Sequence, residues 1–449
     1  MEITKTKFIF LGAIIIFILL GYLIYYYGFN PTVSVRGTVK VWGFDDESIY
    51  KYSTFVKDFN GKYPNITIQY TQKSPQNYEQ ELLNALAGGQ GPDIFPVYHT
   101  WVPNYQDKIA SLPSSLMSLK EYNDTFVDVV IQDFVADGNI WALPLYVDNL
   151  ALYWNKDFFN AAGIAQPPAT WDKFLEAVKT LTVRSPDGNI VQAGATLGTG
   201  ANVDYASDIL SLLMLQNGTT MVDPRTSKLV FNNIQTEGGA DYSPGEDALR
   251  FYTDFANPQK GVYTWNSLMD NSMDAFLAGR AAMTINYSSA VSEISQKAPY
   301  LNFAIAPMPQ IKEGGVAVNY ADYWGEAVGA ASKNQQAAWF FVLWRAGSDV
   351  QKNYLQLIKK PASRRDAVTW QKDDPALGVF ASQSLSARSW LQFDHVAISD
   401  TFTQMIDSVV AGQATTGEAL DRAVNQLNAL VQQKGQSFKL SIPGLPSGL

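Results

Sequence analysis

Hydrophobic and polar positions divide the chain into one long apolar run and a body of alternating strand and helix signals. Phe8 to Tyr27 carries no charge over twenty residues. A helix of that length rises roughly 30 Å, the thickness of a bilayer's hydrocarbon core. Residues 28–36 read as a tether, and Val39 to Trp42 as a strand. From Asp45 to Asn60 the apolar residues Ile49, Tyr52, Val56 and Phe59 fall at helical spacing, and Tyr63-Pro64 ends that segment. Asn65 to Tyr70 alternates as a second strand, Tyr78 to Ala87 is a helix closed by Gly88-Gly89, and Ile94 to Val97 is a third strand. The succession β-α-β-α-β predicts an α/β unit with a largely parallel sheet. Ligands of such sheets bind beyond the carboxyl ends of the strands, so Trp42 to Asp46 and Tyr98-His99 are expected on one rim.

The pattern breaks at Leu143-Pro144, because proline lacks an N–H and biases the preceding residue away from the helix. The strand-forming run Leu145 to Trp154 then carries Asp148-Asn149 in its middle. That predicts either a strand crossing between two packed bodies, with Asp148 exposed in the gap, or an edge strand with one solvated face. Thr170 caps a helix that buries Phe174, Leu175, Val178 and Leu181. Residues 185–189 form a surface turn, and Ser207 to Gln216 an apolar helix stopped by Asn217-Gly218. Ser243-Pro244-Gly245-Glu246 has capping-box spacing, as has Thr415 with Glu418. Met269 to Ala278 is a helix ended by Gly279, Ala282 to Asn286 a strand, and Asn334 to Arg345 a helix. Asn319 to Gly325, NYADYWG, reads as a loop whose mixture of rings with Asp322 suits binding better than a core.

Composition narrows the function. Among 449 residues the net charge is −9, and no Lys/Arg cluster marks a nucleic-acid surface. With no cysteine and two histidines, disulfides, thiol catalysis, Cys-ligated metals and a multi-histidine zinc site are all excluded. His395, in FDHVA, reads as a packed or surface histidine. Lys5 and Lys7 precede the apolar run and no charge follows it until Arg36. The positive-inside rule then leaves the N-terminus in the cytoplasm and the body outside the cell or in the periplasm, held by an uncleaved single-pass anchor.

The run LPLYVDNLALYWNKDFFNAAGIAQPPATWDKFLEA, from Leu143 onward, resembles the central signature of bacterial extracellular solute-binding proteins of ABC importers, in the cluster that includes the maltodextrin binders. Four further segments are similar and in the same order: VWGFDDES, LAGGQGPDI, FLAGRAAMTIN and GEAVGAASKNQQAAWFF. The resemblance implies an α/β, two-lobed, periplasmic-binding-protein-like fold with a hinge and an interlobe cleft; the one transmembrane helix read from the apolar run precedes it, residues 1–36 being anchor and tether. Lobe one is expected over 37–147 and 328–374, and lobe two over 150–325 and 375–449. The crossings are then expected near Val147–Leu150, Glu326–Gly329 and Asp373–Gly378. It further implies a receptor without catalysis or cofactor, monomeric, that captures an oligosaccharide and delivers it to permease subunits.

Transferred motif by motif, the implied ligand contacts are Asp45 and Asp46 after the first strand and Tyr98 and His99 after the third. Tyr146 and Asp148 belong to the central signature, and Tyr287 and Ser289 follow MTIN, where maltodextrin binders carry a tryptophan that this chain lacks. Trp324 and Trp390 are the replacement ring platforms. Sugars fit such a set, because rings pack on their C–H faces and carboxylates accept their hydroxyls. A phosphate-bearing solute would need Arg or Lys beside the cleft, and the rim segments offer none. Two other readings compete: a glycoside hydrolase working through paired carboxylates, and a sensor subunit that reports ligand to a membrane partner.

Overall fold

The structure, a computed structural model, describes residues 35–433 except residue 53. The apolar run 8–27 and the tail beyond 433 lie outside the described residues, and among those described no helix is long and apolar enough to cross a membrane. Two separate hydrophobic clusters organise the rest. The first surrounds a sheet in the order Ile66–Gln72, Gly37–Gly43, Ile94–Tyr98, Trp324–Gly329, Ile109–Ala110. Its first three strands are parallel, as the β-α-β-α-β pattern requires, and Trp324–Gly329 runs antiparallel to Ile94–Tyr98. Val39, Val41, Phe59, Phe95, Trp339 and Phe341 are buried around it. The second cluster packs helices on a three-stranded antiparallel sheet with Ala151–Asn155 between Met283–Asn286 and Phe303–Ala306.

Local chemistry accounts for most element ends. Thr170 caps Trp171–Leu181 by accepting the Lys173 N–H, and Gly88 follows Tyr78–Ala87. The Thr415–Glu418 capping box forms in both directions, the Glu418 carboxylate taking the Thr415 N–H and the Thr415 hydroxyl taking the Glu418 N–H. Ser243 makes no side-chain cap although Pro244 starts that helix as its spacing suggested. The single helix expected over 45–60 is two, Glu47–Tyr52 and Thr54–Lys62.

The chain passes between the two clusters three times up to Leu377, and Ala387 then lies in the first cluster again before Trp390 returns to the second. Val147 belongs to the first cluster and Leu150 to the second. Tyr320 belongs to the second and Ala321 to the first; Val368 belongs to the first and Leu377 to the second. At the crossings Asp148–Asn149 pairs antiparallel with Asn319–Asp322, which in turn pairs parallel with Ala387–Arg388. The expected second crossing at Glu326–Gly329 is thereby corrected. Those residues form a strand within the first body, bonded to Ile94–Tyr98 and Leu143–Pro144. NYADYWG is correspondingly not a loop: it is the end of one strand and the start of the next. A strand spanning the gap can bury Tyr320 and Tyr323 while its acid faces the cleft, which is why its composition imitates a loop.

Gly325 sits at this junction, and a Cβ there would lie 2.5 Å from the buried Phe134 ring and 3.1 Å from Ala142. Gly325→Ala is expected to destabilise the protein by about 1–3 kcal/mol through overpacking, seen as a lowered Tm in thermal unfolding.

Candidate functional site between the two bodies

Asp148 ties the crossover together. Its Oδ1 accepts the N–H groups of Asn149 and Ser288, at 3.0 and 3.1 Å, and its Oδ2 accepts the Ser288 hydroxyl and the Lys360 ammonium, both at 2.7 Å. Ser288 opens the helix Ser289–Lys297 of the second body, whereas Lys360 follows the helix Ser348–Ile358 of the first. One carboxylate thus grips both bodies. The expectation that Asp148 stands exposed is corrected: it is 3 % exposed, because four donors replace the water it would otherwise need. The Lys360 ammonium also lies 5.6 Å from the Tyr146 ring centroid. The clasp is flanked by two cavities. One, of about 400 Å³, is lined from both bodies by Ser288, Ser292, Lys359 and Trp370. The other, of about 60 Å³, is lined by Phe44, Asp45, Tyr146, Trp324, Glu326 and Arg345.

Arg345 anchors the second cavity. Its guanidinium pairs with Glu326, stands 3.5 Å from Asp45, and lies within 6 Å of the rings of Tyr50, Phe55, Phe341 and Tyr354. The Tyr354 hydroxyl donates to Asp45 Oδ2 at 2.7 Å. Burial pushes the Glu326 carboxyl up to about 7 against the pull of Arg345. Arg345 and Lys360 bring cations to the site although the rim segments themselves offer none. Both were hidden because they reach the site from helix ends remote from the rim strands.

A third zone lies where the strand Ile94–Tyr98 meets the second body. The Tyr98 hydroxyl is 3.3 Å from His395 Nδ1, which also lies 3.1 Å from Gln392 Oε1. Trp324 is ringed edge-on by Phe44, Tyr78, Tyr98 and Trp101 at centroid distances of 4.9 to 5.8 Å. Opposite, the Tyr287 hydroxyl donates to Asp208 Oδ2 at 2.8 Å, and Tyr205 stands edge-on to Tyr287 at 4.7 Å. Burial holds the Tyr98, Tyr287 and Tyr320 hydroxyls well above the usual tyrosine range, and the charges of both Asp322 and Asp208 push each of them further. These two acids therefore face the same group of rings. Burial pushes the Asp208 carboxyl up to about 6; His395 opposes and Asp322 reinforces the shift.

The sequence-selected residues thus separate. Asp148 and Tyr98 bridge the two bodies, Tyr287 faces them from the second, and Asp45, Tyr146 and Trp324 line the Arg345 cavity of the first. His99 is beside them but buried, stacked on Tyr323 and bonded through Nδ1 to Asp133 at 3.1 Å. Asp46 is exposed and its Oδ1 takes the Ser48 N–H. Ser289 is exposed at the helix start, while its neighbour Ser288 makes the contact with Asp148. Trp390 is 5 % exposed, stacked on Phe402 with its Nε1 3.2 Å from Ser211, and lines a cavity of about 110 Å³ beside His99 and Asp133, not either cavity flanking the clasp. Asp208, Tyr205, Glu326 and Gln392 were not selected. Asp208 carries the one sequence signal, an acid in the first turn of an otherwise apolar helix.

Residues 46–352 match the model of the bacterial extracellular solute-binding protein family, and the chain belongs to that family. It is 23 % identical to the sn-glycerol-3-phosphate-binding periplasmic protein of Escherichia coli (strain K12), over 90 % of this chain and 94 % of that one. It is 22 % identical to the maltotriose-binding protein of Pyrococcus abyssi, over 69 % of this chain and 62 % of that one. The fold is similar to that of the cyclic alpha-maltosyl-1,6-maltose binding protein from Arthrobacter globiformis, with a TM-score of 0.73 at 20 % identity, covering 89 % of this chain and 100 % of that one. The family is one of extracellular binding proteins.

The raised Asp208 carboxyl fixes the sign of a pH effect. The folded state holds this proton more tightly than the unfolded chain, so the favourable contribution is present at low pH and lost as pH rises from about 4 through about 6. Above that range the buried charge costs up to about 3 kcal/mol. Asp208→Asn, which still accepts the Tyr287 hydroxyl, is expected to raise Tm at pH 7.5 and to leave it unchanged at pH 4, by thermal unfolding across pH.

Proposed function

We propose that the protein is an outward-facing receptor that closes its two bodies around a saccharide and delivers it to the permease of an ABC importer. The observation that carries this reading is the arrangement around Trp324: a half-buried indole, neighbouring rings and the Asp322 carboxylate on one body, and the Asp208 carboxylate and Tyr205 hydroxyl on the other. Flat C–H faces pack on the rings while hydroxyls donate to the acids, and closure removes the competing water. Family membership and the saccharides named for several relatives support the ligand class. Asp45, Tyr98, Tyr146, Tyr287 and Trp324 are the ligand contacts in this reading, and Asp148 acts on closure rather than on the ligand. The bodies rotate at 148–149, 320–321 and between Val368 and Leu377. Residues 8–27 hold the receptor at the membrane with the body outside.

Saccharides added to the full-length protein in detergent are expected to raise Tm, because a ligand of the folded state stabilises it by mass action. Trp324→Ala is expected to weaken the saccharide that shifts Tm most by about ten- to a hundred-fold in calorimetric titration. Unchanged affinity in a folded Trp324→Ala protein removes the site assignment, and the absence of any saccharide shift removes the ligand class.

A further inference from the structure

The cavity of about 400 Å³ beside the clasp shares no lining residue with the Arg345 cavity that Trp324 lines. Its walls come from three places. The helix Ser289–Lys297 of the second body contributes Ser292 and Ser295, which fall with Ser288 at i, i+4 and i+7 on one helical face. The end of the helix Ser348–Ile358 of the first body contributes Gln356 and Lys359. The third crossing, between Val368 and Leu377, contributes Trp370 and Asp374. Leu355 and Leu377, both buried, add apolar surface. The volume lies in the range of small-molecule sites, which combine apolar walls with a few convergent polar groups.

The side chains here are left without work inside the protein. Trp370 is 41 % exposed, and its indole meets no other ring and makes no hydrogen bond among the described residues. Trp324, by contrast, is ringed edge-on by four aromatic residues. The Ser292 hydroxyl, the Gln356 amide and the Lys359 ammonium also have no hydrogen-bond partner among the described residues. Asp374 accepts the N–H groups of Ala376 and Leu377 on Oδ1 and nothing from the described residues on Oδ2. Lys359 and Asp374 are the ionisable residues of the lining, one of each sign, so the cavity carries no net charge. An uncharged ligand is therefore favoured. A zwitterion would have to hold both of those charges away from water, and both residues are exposed.

We propose that this cavity is a second saccharide site, with one pyranose ring stacked on Trp370 and its hydroxyls bonded by Ser292, Gln356, Lys359 and Asp374. The ligand class rests on the saccharide reading; the site is additional to the one at Trp324. The C–H face of the ring covers the exposed indole. The sugar's hydroxyls donate to Asp374 and accept from Lys359, while Ser292 and Gln356 serve in either direction.

The test is titration calorimetry on the full-length protein in detergent with glucose, galactose, maltose and cellobiose. Wild-type protein is expected to take up two saccharides per chain, and Trp370→Ala one, with the affinity of the remaining event changed by less than about two-fold. Gln356→Ala, which leaves the tryptophan in place, is expected to weaken the same event by about three- to ten-fold. Trp324→Ala is expected to remove the other event and to keep this one. A single event that folded Trp370→Ala and Gln356→Ala leave unchanged overturns the second site and leaves the saccharide reading standing. A single event lost in both Trp370→Ala and Trp324→Ala also overturns it, since the two cavities then serve one site. A single event lost in Trp370→Ala and kept in Trp324→Ala upholds the Trp370 site and removes the Trp324 assignment. Binding by none of the four sugars overturns both. The Gln356→Ala arm stands by itself, so a misfolded Trp370→Ala protein does not spare the proposal.

Discussion

Four hydrogen bonds to one carboxylate hold the geometry of this molecule. Asp148 lies on the first crossover strand, and its two oxygens together reach three parts of the assembly: backbone of its own strand, the start of a helix in the second body, and a lysine of the first. A buried acid is tolerable only when fully bonded, so the two bodies must present Ser288 and Lys360 together for the crossover to pack. The antiparallel pairing of Asp148–Asn149 with Asn319–Asp322 sets the second crossover beside it. The position of Asp322 in the cleft follows from that pairing, because Asp322 is the direct partner of Asp148 in the ladder.

From this constraint the cleft acquires two unlike ends. At one, Arg345 is neutralised by Glu326 and Asp45 within a cage of rings, which makes a rigid wall of the first body. At the other, Asp208 accepts the Tyr287 hydroxyl, and neither Asp208 nor Asp322 forms an ion pair with a lysine or arginine among the described residues. The two ends therefore differ in how their acids are held, by a guanidinium at one and by tyrosine hydroxyls at the other. Trp324 connects the two ends, since it lines the Arg345 cavity and packs against Tyr98.

The local signals in the sequence were reliable where one face decided the structure. Period-2 alternation and short helices gave the parallel strands Gly37–Gly43, Ile66–Gln72 and Ile94–Tyr98. The Thr415–Glu418 box and the Thr170 cap depend on residues three apart, and both form. NYADYWG misled because its tyrosines and its acid point into different surroundings, one set into a core and the other into the gap. Trp390 misled because an aromatic residue near a cleft and one packed behind it look identical in sequence; here Ser211 and Phe402 claim it.

The sequence by itself determined the α/β class, the strands whose ends carry Asp45 and Tyr98, and the broken strand at Asp148 where the chain crosses. These follow from periodicity, proline and capping, all of which act over a few residues. Only the tertiary structure decided which cation each buried acid meets. Lys360 meets Asp148 across 212 residues and Arg345 meets Asp45 across 300. No local pattern encodes such pairings, because a charge is neutralised by whatever lies nearest in space. The chemistry that separates one solute from another in this cleft is set by those distant partners.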